Sequence, residues 1–181
     1  NVSAIHPLGG YIDQNVLVET TNGEKRLLKA HSRAERRSVL DLQNAALSYL
    51  QDCALEFAVP SPYVTSDGHY VSEHEGADFV DNIRCLTFVE RELLADHGPL
   101  QPDVLRAAGQ TIGALDKALA DFEHPAAARP DMDWDIRNAP RIATHVGDIP
   151  DPALRRLADY FFLQYTTDIE AVLNSLPLQV S

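Results

Sequence analysis

Asn22-Gly23 stands between two short apolar runs, "NVLVET" at 15–20 and "KRLLKA" at 25–30. Both residues readily take the left-handed turn conformation that a two-residue hairpin demands, so the pair fixes an antiparallel reversal. A hairpin therefore lies within residues 4–30. The same logic places a second hairpin in "YVTSDGHYVSEHEG", with Asp67-Gly68 at its turn. "IRCLTFVERELL" then reads as an apolar strand with a polar exit.

Helical signals separate and follow these strands. Ser32-x-x-Glu35 forms a capping box. From it runs a helix with Leu40, Gln43, Leu47, Leu50 and Ala54 on one face, ended by "VPSP". Pro102 suits the first turn of a helix, and Leu105, Ala108, Ile112, Leu115, Leu119 and Phe122 recur at steps of three and four. "HPAAARPD" breaks that stripe. A short helix is expected within 134–146. Asp151-Pro152 caps a long one with Leu154, Leu157, Phe161, Tyr165, Ile169, Val172 and Leu176 inward, about 36 Å of helix. "PLQVS" reads as the approach to a strand. Strands first and helices afterwards indicate an α+β fold. The division is expected at residues 1–90 and 91–181.

Charge narrows the function. With 27 acidic and 15 basic residues the net charge is -12. A nucleic-acid binder would normally present a basic face, so that class is disfavoured. No apolar run reaches membrane-spanning length. Cys53 and Cys85 are the only cysteines and form no C-x-x-C pair, the pattern of two reduced core thiols in a cytoplasmic protein. The seven histidines show no metal-ligand spacing. The chain opens on Asn1 rather than Met, so its first residue is not expected to be the natural start.

Two residues break the apolar pattern. Lys29 ends an apolar run, and Gln43 interrupts a helical stripe. A lysine on an edge strand can snorkel to water, a Gly-Gly pair can be a plain turn, and a glutamine can sit at a stripe margin. Their order suggests more: Gly9-Gly10 allows backbone N–H groups to approach an anion, Lys29 on the next strand reaches the same anion, and Gln43 can offer its amide oxygen.

That order resembles the nucleotide-binding lobe of protein-kinase-like enzymes. The chain is similar to the aminoglycoside phosphotransferase/choline kinase-type family, and within it to hydroxylysine kinase-like domains, some of which are fused to class III aminotransferases. "GGYIDQNVLVET", "RLLKA", "VLDLQNAALSYL", "VPSPYVT", "RCLTFVEREL", "IGALDKALADFEHPA" and "WDIRNA" carry the resemblance, in order, over nearly the whole chain. The resemblance implies ATP or GTP with Mg2+, a small amine or amino alcohol such as hydroxylysine as acceptor, and a kinase-like N-terminal lobe followed by the start of a helical lobe. Gly9, Gly10, Tyr11, Asp13, Gln14 and Asn15 would belong to the loop over the phosphates. Lys29 would contact the α- and β-phosphates. Thr87, Phe88, Val89 and Glu90 would form the hinge beside the base. Many relatives carry Glu where this chain has Gln43, and a neutral amide cannot form the ion pair that holds the lysine.

The family's catalytic loop, H-x-D-x-x-x-x-N, and its metal-binding D-x-G-D segment do not occur in this sequence. The expectation is a piece of a phosphotransferase that is inactive by itself. The alternative is a non-catalytic interaction or regulatory module, possibly one fused to an aminotransferase. The open apolar stripes of the two long helices further predict a homodimer.

Overall fold

The computed structural model describes all 181 residues except 11, 32–34, 76–79, 91, 95–97, 129–131, 133, 177 and 181. The described chain forms two compact units, residues 1–127 with 179–181, and residues 128–178.

The first unit is built on a five-stranded antiparallel sheet. Its strands are β1 (Val2–Leu8), β2 (Gln14–Thr20), β3 (Lys25–His31), β4 (Val71–Glu75) and β5 (Val80–Thr87), in the spatial order β1-β2-β3-β5-β4. The Asn22-Gly23 reversal forms as expected, with Gly23 at φ +83 and its N–H donated to the Thr20 carbonyl at 2.9 Å. The hairpin is one arm of a longer meander, because residues 2–8 add a strand ahead of it.

The second expected hairpin is corrected. The Asp67-Gly68 turn exists, with Gly68 at φ +86 and Thr65 N–H donating to the His69 carbonyl at 2.6 Å, but the segments beyond that turn form no ladder with each other. Pro62 bridges Leu86, and β4 pairs with β5 from Arg84 to Val80. Both segments run antiparallel to β5 along one edge, and residues 64–70 form an excursion between them.

Helix α1 (Arg37–Gln51) crosses the sheet. It starts later than the capping box suggested: Arg36 is its N-cap, and Glu35 precedes the helix. Ser32 lies outside the described residues. The start follows the packing, since Val39, Leu40 and Leu42 are the first buried side chains and Leu40 is wholly enclosed. Ala54, expected on the stripe, is exposed beyond the helix end. Val71 and Leu86 complete the core beneath α1. Helix α2 (Pro102–Ala118) begins where Pro102 indicated. Its end is anchored by buried Leu119, and Phe122 meets Tyr49 of α1 with ring centroids 5.2 Å apart. Cys53 and Cys85 are free and half-buried rather than core residues.

In the second unit, α3 (Ala139–Ala143) lies between the short 3-10 turns Ile136–Asn138 and Val146–Asp148. Helix α4 (Pro152–Gln164) has the expected cap, with Asp151 Oδ1 accepting from the N–H groups of Ala153 at 2.7 Å and Leu154 at 3.4 Å. The single long helix of the sequence reading is interrupted by a π-helical turn, Tyr165–Ile169, before α5 (Glu170–Leu173). Thr166 and Thr167 donate their hydroxyls to the carbonyls of Phe162 and Leu163, both at 3.0 Å, and such back-bonding loosens the regular ladder. Of the expected stripe only Tyr165 is buried; Leu154, Leu157 and Phe161 are exposed. The last described residues form no strand.

Candidate functional site

Antiparallel register places Asn15, Lys29, Arg84 and Val71 in one row across β2, β3, β5 and β4. Directly opposed residues share a face of a sheet. Here that face is the one α1 covers, so the row sets two cations side by side beneath a helix.

The two cations have different surroundings. Arg84 is only 3% exposed. Its Nε donates to His31 Nε2 at 3.0 Å, one terminal nitrogen donates to Asn44 Oδ1 at 3.1 Å, and the other to Gln43 Oε1 at 2.6 Å. Gln43 and Asn44 both belong to α1. Lys29 lies closer to solvent, its side chain 25% exposed, with Nζ 3.1 Å from Asp13 Oδ2. The other oxygen of that carboxylate, Oδ1, is 2.9 Å from His31 Nδ1.

The protonation of His31 follows from this geometry. Its Nε2 accepts from Arg84 and therefore carries no hydrogen, so Nδ1 carries the ring's one proton and donates it to Asp13. Burial pushes its pKa below the usual histidine value, and the Arg84 charge adds to that; Asp13 opposes both. A continuous chain of contacts results, from Lys29 through Asp13, His31 and Arg84 to Gln43 and Asn44.

Gln43 is corrected on one point: its carbonyl receives Arg84 and not Lys29. A guanidinium presents donors in a fan wide enough to span three acceptors, which an ammonium on a flexible stem does not. Arg84, His31 and Asn44 were not picked out from the sequence. Arg84 was findable by the argument applied to Lys29, since it is a cation inside the apolar run "IRCLTF".

The loop between β1 and β2 folds tightly at Gly10. A Cβ there would lie 2.1 Å from the Asp13 carbonyl oxygen and 2.8 Å from Asn15 Nδ2, so no side chain fits. At Gly9 the space is open. Asn15 Nδ2 donates to the Gly9 carbonyl at 3.1 Å, closing the loop. Gln14 is the first residue of β2. Tyr11 lies outside the described residues.

The segment expected as a hinge leaves β5 along the start of β3. Thr87 N–H donates to the Ser61 carbonyl at 2.9 Å, and Phe88 N–H to the Lys25 carbonyl at 3.3 Å. Lys25 pairs with Glu90, which holds the Glu90 carboxyl below its ordinary pKa. Two N–H groups of this segment are therefore spent on the fold. Among the described residues, no three His, Cys, Asp or Glu side chains converge on a possible cation site. No described helix is long and apolar enough to cross a membrane.

Comparison with known proteins bears on the family and the fold. The chain is 24% identical to hydroxylysine kinase of Danio rerio and 23% identical to that of Mus musculus, over 97% and 96% of its own length. It spans about half the length of these curated relatives. In fold it is similar to an amicoumacin kinase solved in complex with AMP-PNP, Ca2+ and Ami (TM-score 0.64, 12% identity, 96% of this chain and 49% of that one). It is also similar to a microcompartment-associated aminopropanol kinase (TM-score 0.59, 18% identity, 82% of this chain and 50% of that one). Residues 4–171 match the family described as "Phosphotransferase enzyme family", and the chain belongs to that family.

Proposed function

We propose that residues 1–90 form the nucleotide-binding lobe of a small-molecule kinase, and that residues 91–181 contribute the start of its second lobe. The intact enzyme would move the γ-phosphoryl of ATP or GTP to a hydroxyl of a small amine or amino alcohol such as hydroxylysine, in the cytoplasm. The observation that carries this reading is Lys29. It is a half-buried cation on a central strand, beside a loop that admits no side chain at Gly10, on the sheet face that a helix closes. That is the arrangement in which a lysine charge serves phosphate oxygens.

The chain's own groups account for the binding half of such chemistry. Lys29 offers its ammonium to the α- and β-phosphates. Gly9 and Gly10 bring backbone close to them, with Asp13, Gln14 and Asn15 shaping the return strand. Thr87 to Glu90 would flank the base. Mg2+ would supply charge neutralisation during transfer; among the described residues no three His, Cys, Asp or Glu side chains converge to hold it. The sequence also contains no H-x-D-x-x-x-x-N, and this chain alone is expected not to turn over nucleotide. That absence is the observation that favours the competing reading, a non-catalytic module.

Titration calorimetry with ATP separates the two. Weak binding that disappears in Lys29→Ala, with the circular dichroism of the fold retained, supports the kinase lobe. Equal binding by the variant removes the phosphate role of Lys29.

A further inference from the structure

We propose that Asp13 is a resident anion of the phosphate subsite: it occupies Lys29 in the nucleotide-free chain, and an incoming phosphate binds by displacing it. The inference rests on the reading of Lys29 as the phosphate-binding group.

The two oxygens of Asp13 face unlike partners. Oδ1 meets His31 Nδ1 at 2.9 Å, and His31 is 2% exposed. The far side of that ring is fixed by Arg84, which is itself gripped by Gln43 and Asn44. This contact is built into the fold. Oδ2 meets Lys29 Nζ at 3.1 Å, at a side chain still open to solvent. This contact is exchangeable. A phosphate can take Lys29 while the carboxylate stays hydrogen-bonded to His31. The tight turn at Gly10 keeps Asp13 close to the lysine, where the Asp13 carbonyl would collide with any Cβ. A tethered carboxylate competes at high effective concentration, as any linked ligand does. A ligand must therefore carry more negative charge than one carboxylate to win, which selects polyphosphates over monoanions.

The experiment titrates the 181-residue chain with ATP by calorimetry, alongside Asp13→Asn, Asp13→Ser and Lys29→Ala. Asparagine still accepts from His31 but carries no charge. Serine gives a second neutral variant should asparagine disturb the loop. Removing one negative charge within a few Å of the bound phosphates tightens binding by roughly tenfold. Tighter binding by either folded neutral variant, with loss of binding in Lys29→Ala, is the expected result. Unchanged or weaker binding by the neutral variants, with Lys29→Ala still lost, overturns the role of Asp13 and leaves that of Lys29 standing. Binding by Lys29→Ala equal to the parent, or no binding by any protein at millimolar ATP, overturns the reading of Lys29 and the inference with it.

Discussion

Replacing Arg84 by methionine tests whether this cation, rather than Lys29, ties α1 to the sheet. The substitution keeps much of the volume and removes a charge that is 3% exposed. It deletes three hydrogen bonds, to His31, Asn44 and Gln43. Bonds from a charged donor contribute about 1.5–3 kcal/mol each. Against them stands the desolvation of a buried guanidinium, several kcal/mol, and no hydrogen-bonded carboxylate among the described residues offsets it. Asp13 and Glu35 act on Arg84 only through their charge. The variant leaves acceptors on His31, Asn44 and Gln43 without this donor, at about 1–3 kcal/mol for each that stays buried and unpaired. A net loss of about 3 kcal/mol follows. With a urea slope of about 2 kcal/mol per molar, the midpoint should fall by about 1.5 M, read by far-ultraviolet circular dichroism. Lys29→Met is the companion. A partly exposed ion pair is worth about 0–1 kcal/mol, so its midpoint should move by less than about 0.5 M. A Lys29 variant as damaging as the Arg84 variant, or an Arg84 variant within about 0.3 M of the parent, would refute the reasoning.

Other consequences can be checked separately. Gly10→Ala forces the loop apart and should cost about 1–3 kcal/mol in a thermal melt, whereas Gly9→Ala meets open space and should stay within about 0.5 kcal/mol. His31 has its folded pKa lowered, first by burial and then by Arg84. The unfolded chain therefore takes up the proton first, so the contribution is complete above pH about 6.5 and is lost as pH falls from there toward the lower folded value. Urea midpoints measured across that window should decline in the parent and decline less in His31→Asn. Leu105 and Ile112 on α2, and Leu154, Leu157 and Phe161 on α4, are at least half exposed. Each forgoes roughly 1.5–3 kcal/mol of burial, so light scattering at micromolar concentration should give twice 20.0 kDa, and a clean 20.0 kDa particle would exclude the dimer.

Local chemistry made several elements legible in advance. The Asn22-Gly23 reversal, the Pro102 start of α2 and the Asp151 cap of α4 each depend on residues within a few positions of one another. What depends on distant partners was not legible. β1 has a mostly exposed strand pattern and a proline, and it is a strand because β2 is there to receive it. The start of α1 is chosen by which side chains the sheet buries. Lys29 and the glycine loop stand out locally as a charge and a turn. The Arg84 network joins residues 40 to 53 positions apart, and only the folded register shows that His31, Asn44 and Gln43 converge on one guanidinium.

The excursion at residues 64–70 bears on how this chain tolerates change. The segments on either side of it each hold their own hydrogen bonds to β5: Tyr63 N–H to the Cys85 carbonyl on one side, and the β4 ladder on the other. Neither needs the intervening turn to set its register. Loop-closure entropy grows slowly with length, by about 0.6 kcal/mol per doubling. Residues 66–68 are therefore a natural insertion point for an affinity tag or a fluorescent reporter. They are also where homologous chains could differ in length without shifting either segment along β5.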